Sequence, residues 1–144
     1  MNEKPTNELD NILSNAKPDD YKSFIDSNNI NPDISIDRYF NNYISDHHLI
    51  LSDIIARCSI SKDYAYQIIN GTKAHPSRDK VLALCLACYM EVADTNRVLK
   101  IAGLSPLYSK VNRDAAIIIM INNHVFSIAQ INDFLESKGL ELLD

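Results

Sequence analysis

A chain of 144 residues, 46% apolar and 23% charged, is sized for one globular domain. Such a domain buries roughly 70% of its unfolded surface without help from disulfides or metals. Three glycines argue against a hairpin-rich β fold, and three cysteines, an odd number, fit a reducing compartment better than a disulfide framework. No apolar run reaches membrane-span length and no basic-then-apolar signal opens the chain, so the expectation is a cytoplasmic protein; the net charge of −5 weighs against a nucleic-acid partner without excluding one.

That charge is unevenly spread. Residues 1–33 hold three lysines against seven acids, whereas between Arg57 and Lys80 five bases (Arg57, Lys62, Lys73, Arg78, Lys80) face only Asp63 and Asp79. Local charge governs a nucleic-acid face more than the total does. The acidic opening carries Pro5, Pro18 and Pro32 and two short amphipathic pieces, Leu9, Ile12 and Leu13, then Tyr21, Phe24 and Ile25. Each is shorter than an isolated helix needs in water, so residues 1–33 read as short marginal helices forming an arm for a protein partner.

From Ile34 the period is helical. Ile36, Tyr39, Phe40 and Tyr43 form a stripe at i, i+3, i+4, i+7 in a first body helix ending near Asp46 to His48. A second helix spans Leu49 to Cys58, with Ile54, Ile55 and Cys58 on one side. After a break at Ser59-Ile60-Ser61, Ser61 caps a third helix from Lys62 to Asn70, and Gly71 stops it. Pro76-Ser77 opens a fourth helix through Cys88, and Asp94 caps a fifth that ends at Gly103. Ala115 to Ile121 is apolar throughout; a buried helix capped by Asn112 is preferred to a buried strand, since no partner strand is in sight. Ser127 with Gln130 forms a capping box for a last helix with the stripe Ile128, Ile131, Phe134 and Leu135, ended by Gly139. The fold class is therefore all-α, organised as residues 1–33, a core of about five helices over 34–103, and a helical extension over 104–144.

Two short helices joined by a tight turn, the second polar on one side, form a helix-turn-helix. Leu51-Ser52-Asp53, the turn ending in Ile60-Ser61, the closing Asn70-Gly71 and Pro76 five residues later resemble the XRE-type, Cro-like family of phage-repressor regulators over Ile34 to Tyr89. Two positions depart from the family pattern: Ser59 replaces the usual turn glycine, which requires positive φ of a serine, and Ile55 replaces the usual small alanine, which predicts wider helix spacing. The stretch from Ile101 through Leu107-Tyr108 to Arg113-Asp114 is also similar to the tail of a group of such regulators from Gram-positive bacteria. The resemblance implies a bacterial or phage transcription regulator that binds double-stranded DNA as a homodimer. By position in the motif it assigns base reading to Lys62, Asp63 and Gln67, and phosphate contacts to Ser61, Asn70, Thr72 and Lys73.

The residues themselves point the same way. Lys62, Asp63, Tyr66, Gln67 and Asn70 share one face of the third helix, and Tyr64, Ala65, Ile68 and Ile69 the other. Gln pairs with adenine, Lys donates to guanine, and Asp accepts from cytosine N4, while Tyr66 is placed to stack on a base. Ser77 and Arg78 open the fourth helix, whose N–H groups and dipole suit a phosphate, and His75 sits among the neighbouring bases. The alternative is a polar helix face that is merely solvated.

Other constellations yield to blander readings. Cys85-Leu-Ala-Cys88 has CxxC spacing but lies inside an apolar helix with no second pair, so buried small side chains are preferred to zinc or redox chemistry. His47-His48 falls at a helix end, where an imidazolium complements the dipole; His124 is a lone histidine in a connector; Arg113-Asp114 reads as a core-bracing pair, not a catalytic one. Nothing calls for a cofactor or an enzyme. The rival is a protein–protein module, such as an adaptor, antitoxin or inhibitor, built on the same helices. Dimerisation is expected through the C-terminal helices, with Ile131 and Phe134 at the seam.

Overall fold

The computed structural model describes Ser14, Lys17, Pro18 and residues 34–144. The acidic arm read in residues 1–33 lies otherwise outside the described residues. Two compact units divide at Ile34, and Ser35–Asp144 forms the second. Among the described residues this unit holds seven helices and no strand: α1 Ile36–Asp46, α2 Leu51–Arg57, α3 Lys62–Ile69, α4 Arg78–Ala87, α5 Val92–Ile101, α6 Asn112–Asn122 and α7 Ile128–Ser137. The run Ala115 to Ile121 is helical, as its length and lack of a strand partner predict.

The centre of the unit is α4. Every residue from Val81 to Ala87 is buried, as a helix apolar on all sides requires. It packs against α2, α5 and α7, while α1 crosses α3 and α5 and α6 lies on α5 and α7. One apolar cluster runs through all seven helices, from Ile36 and Phe40 in α1 to Ile131 and Leu135 in α7. The stripe expected to pair with a second copy is largely used up in this core. Ile131 and Leu135 are fully buried and Ile128 nearly so, which removes Ile131 from any seam between copies. Instead α6 leaves Ile119 about half exposed, with Val111 just before it.

All seven helices stop on a left-handed residue just past the C-cap. Three are the glycines marked in the sequence, Gly71, Gly103 and Gly139, and four are His48 (φ 54°), Ser59 (φ 58°), Tyr89 (φ 59°) and His124 (φ 59°). At five of the ends the next N–H reaches back to the last-turn carbonyl, as from Leu49 to Ile44 and from Met90 to Cys85. Each of the four non-glycine residues bears a cost of about 1–2 kcal/mol for this conformation, which the surrounding packing offsets.

Helix starts differ from expectation in three places. Glu91 and Val111 occupy the N-caps of α5 and α6, so Asp94 and Asn112 are helical residues and not caps. Asp94 still lies in the first turn, where a carboxylate complements the dipole. The second helix begins at Leu51 because His48 turns the chain and Ile50 is extended. Ser61 and Ser127 do cap, accepting from the backbone N–H of Tyr64 at 3.2 Å and of Gln130 at 3.3 Å, but the Gln130 side chain makes no return bond to Ser127, so only half of the box forms.

Candidate functional site

The α2 and α3 helices are joined by Cys58 to Ser61, with Ser59 holding the left-handed conformation that the resemblance implied for it. Ala65, Ile68 and Ile69 anchor α3 in the core, while Lys62, Asp63 and Asn70 are exposed and Tyr66 and Gln67 half-buried. The face read as polar is therefore the outer face. Tyr64 packs partly inward, and its hydroxyl accepts from the Ser77 N–H at 3.4 Å.

The far end of α3 is fixed from α1. Asn41 Nδ2 donates to the Ile69 carbonyl at 2.9 Å, and a Cβ on Gly71 would stand 2.9 Å from Asp37 Oδ2. Glycine at 71 thus answers both a left-handed φ of 84° and a close approach. Asn70 Oδ1 accepts from the Thr72 N–H at 2.9 Å, and the Lys73 N–H reaches the Gln67 carbonyl at 2.9 Å, which folds residues 70–73 back over the helix end. The roles of Asp37 and Asn41 had no signal in the sequence, because residues about thirty positions apart meet only on folding.

Two lysines stand over aromatic rings on this side. Lys62 Nζ lies 5.9 Å from the Tyr66 centroid and Lys73 Nζ 5.1 Å from that of Tyr64. Such contacts are weak in water and leave the ammonium groups open to an anion. Ser61, Thr72, His75 and Ser77 are exposed around them. Of the eleven residues assigned to base or phosphate, ten thus line the outer side of α3 and the chain leading into α4.

Arg78 is the exception. Its guanidinium forks onto Asp114 of α6, Nη1 to Oδ1 at 3.1 Å and Nη2 to Oδ2 at 2.9 Å, and donates Nε to the Ser105 carbonyl at 2.9 Å. A third acceptor, the Pro106 carbonyl, stands 3.3 Å from Nη2. Arg78 is therefore a bracing residue, and its side chain is withdrawn from the phosphate set. The Ser77 N–H, expected to be free, is taken by Tyr64.

A second fork mirrors the first. Arg113 of α6 holds Asp79 of α4 at 2.9 and 2.8 Å, and also donates to the carbonyls of Glu141 and Leu142. Arg113 and Asp114 thus brace the core as expected, but each does so with α4 and not with the other. Burial pushes the Asp79 carboxyl up, yet the hydrogen bond from Arg113, that from the Asp144 N–H, and the charges of Arg113 and Arg78 outweigh it and hold the group below its ordinary value.

No family model, curated protein or solved structure matches the chain. The side-chain geometry therefore carries the functional argument alone.

The remaining reactive types occupy packing positions. Cys85 and Cys88 are buried, and burial pushes the Cys88 thiol up to about 12, which disfavours the thiolate that metal or redox chemistry needs. His47 stacks on Tyr43 at 3.8 Å at the end of α1. Among the described residues no three histidine, cysteine or acidic side chains are gathered as a metal would require, and no helix is long and apolar enough to cross a membrane.

Proposed function

We propose that this chain is a sequence-specific regulator that binds double-stranded DNA, with α2 and α3 acting as a phage-repressor-like helix-turn-helix and α3 lying in the major groove. The observation that carries this reading is the division of α3. Its inner side is locked into the core, and its outer side offers Lys62, Asp63 and Gln67 on a rigid, capped helix of eight residues. With its side chains an α-helix is about 10–12 Å across, close to the width of the major groove. Lys62, Asp63 and Gln67 read base edges and Tyr66 packs beside them, while Ser61, Asn70, Thr72, Lys73, His75 and Ser77 hold the backbone. The loss of Arg78 from this set lowers the expected number of phosphate contacts and hence the steepness of the salt dependence.

The reading extends to a homodimer, which would place two α3 helices about 34 Å apart on a near-palindromic site. Its seam is the outer stripe of α6, Val111, Ile118 and Ile119, since Ile128, Ile131 and Leu135 of α7 are spent internally and of that stripe only Phe134 stays half-buried. The same exposed stripe favours the second reading, a protein–protein module, and the net charge of −5 is compatible with it.

Fluorescence anisotropy on DNA from the chain's own promoter region, titrated at several salt concentrations, separates the two. A regulator gives one preferred fragment and an affinity that falls linearly in log–log form with salt. Equal, weak affinity for every fragment, or none, overturns the DNA reading.

A further inference from the structure

On the side of the α2–α3 turn, four separate elements border a half-open cleft of about 450 Å³ that the DNA reading does not use. Its wall is built from Arg57 and Ser59, Tyr89 after α4, the connector His124-Val125-Phe126 and the first turn of α7. That size lies within the range of small-molecule sites. No acidic side chain lines it, though Glu91 stands 3.6 Å from Nδ1 of the wall residue His124.

Arg57 is the informative residue. Arg78, Arg97 and Arg113 each pair with an aspartate, whereas Arg57 pairs with no carboxylate among the described residues. Its Nη2 donates to the Ala87 carbonyl at 2.8 Å, its Nε is buried without a partner, and its guanidinium lies over the Tyr89 ring at 4.5 Å. A part-buried, under-satisfied cation on a cleft wall favours an anion inside. The α7 start adds donors of the same sign. Ser127 caps through its hydroxyl and occupies the Gln130 N–H, and the Ile128 and Ala129 N–H groups, the first two of the helix, have no partner within it. The rest of the wall is Ser59, His124, Val125 and the rings of Tyr89 and Phe126, the two rings set edge-on at 5.5 Å.

We infer that this cleft binds a small aromatic anion, its carboxylate or phosphate between Arg57 and the first turn of α7 and its ring against Phe126, Val125 and Tyr89. Ser59 is part of the wall, so the occupant touches the α2–α3 turn. The inference does not depend on DNA binding, and its test uses none.

The test is titration of the ¹⁵N-labelled full chain with phenyl phosphate and with benzoate, against phenol and inorganic phosphate as the ring and the head alone. Saturable amide shifts at Ser59 and Ile128 to Gln130 for at least one aromatic anion, with tighter binding than either half, are expected. Arg57→Gln removes the cation. Ala129→Asp places a carboxylate in the first turn, where it favours the helix but repels the ligand, so a folded protein binding about tenfold more weakly is expected. Phenol binding as tightly as the anions, equal binding by a folded Ala129→Asp protein, or no saturable shift at these amides overturns the inference.

Discussion

The outer side of α3 and the junction of α4 with α6 carry similar charged residues and treat them oppositely. Lys62 at the start of α3 and Lys73 just past its end each stand over an aromatic ring and are exposed. At the junction, two Arg-Asp dipeptides, Arg78-Asp79 and Arg113-Asp114, open two helices and cross-pair, so that four charges satisfy one another and clamp the C-terminal segment. A cation near a proposed DNA face is therefore no measure of that face until its partner is known. The five bases counted between Arg57 and Lys80 shrink once Arg78 is bound to Asp114 and Arg57 turns to a separate cleft.

The junction is the place where a single change should do most harm. Asp114 is 3% exposed and accepts from Arg78 and from the Tyr108 N–H, so Asp114→Ala leaves a guanidinium without its counter-charge. A loss of about 3 kcal/mol in urea denaturation is expected. A loss under 1 kcal/mol would mean that the fork is ornamental and the contrast with α3 false.

The converse holds on α3, where substitutions should alter binding and not stability. Gln67→Ala is expected to cost about 1–3 kcal/mol on the preferred DNA site and to relax specificity at one base pair. Lys73→Ala should weaken all sequences alike and flatten the salt slope by about one. Both proteins should keep the wild-type urea midpoint; wild-type affinity in both would show that α3 is not the reading element.

The second fork is more open to water and should matter less. Asp79→Asn is expected to cost about 1–2 kcal/mol at neutral pH. Because the folded carboxyl titrates below its ordinary 3.8, its contribution is present above that pH and fades as the pH falls through it. The difference in stability between wild type and Asp79→Asn should therefore shrink below pH 3.8 and persist above it. A difference independent of pH would assign the effect to packing.

Smallest, and opposite in sign, are the left-handed helix ends. His124→Gly relieves the φ of 59° at an exposed position and should raise stability by about 1 kcal/mol; destabilisation would show that the imidazole, not the turn, holds the α6–α7 connector.

Local physics was legible in the chain. Apolar spacing, an unbroken apolar run and stop signals located all seven body helices, Ser61 and Ser127 announced their caps, and the three glycines marked three stops. The two faces of α3 followed from helical geometry alone, while the left-handed Ser59 was implied by the family resemblance at the turn. These features depend on residues a few positions apart, where spacing and φ preference decide.

What the sequence could not decide were matters of long-range pairing. It showed Arg78 and Asp114 as separate charges 36 positions apart, and only packing of α6 beside α4 turns them into one buried pair. It showed the α7 stripe as apolar, but whether Ile131 and Leu135 meet this core or a second copy depends on the path of the α5–α6 connector, which is tied down where Asn96 accepts from the Leu107 N–H at 2.7 Å. The left-handed stops at His48, Tyr89 and His124 are not marked by glycine; histidine is somewhat enriched in that conformation but tyrosine is not, and neither residue type by itself specifies a helix end. Helix positions were thus set by local preference, and the availability of each charged or apolar group by which distant segment came to lie against it.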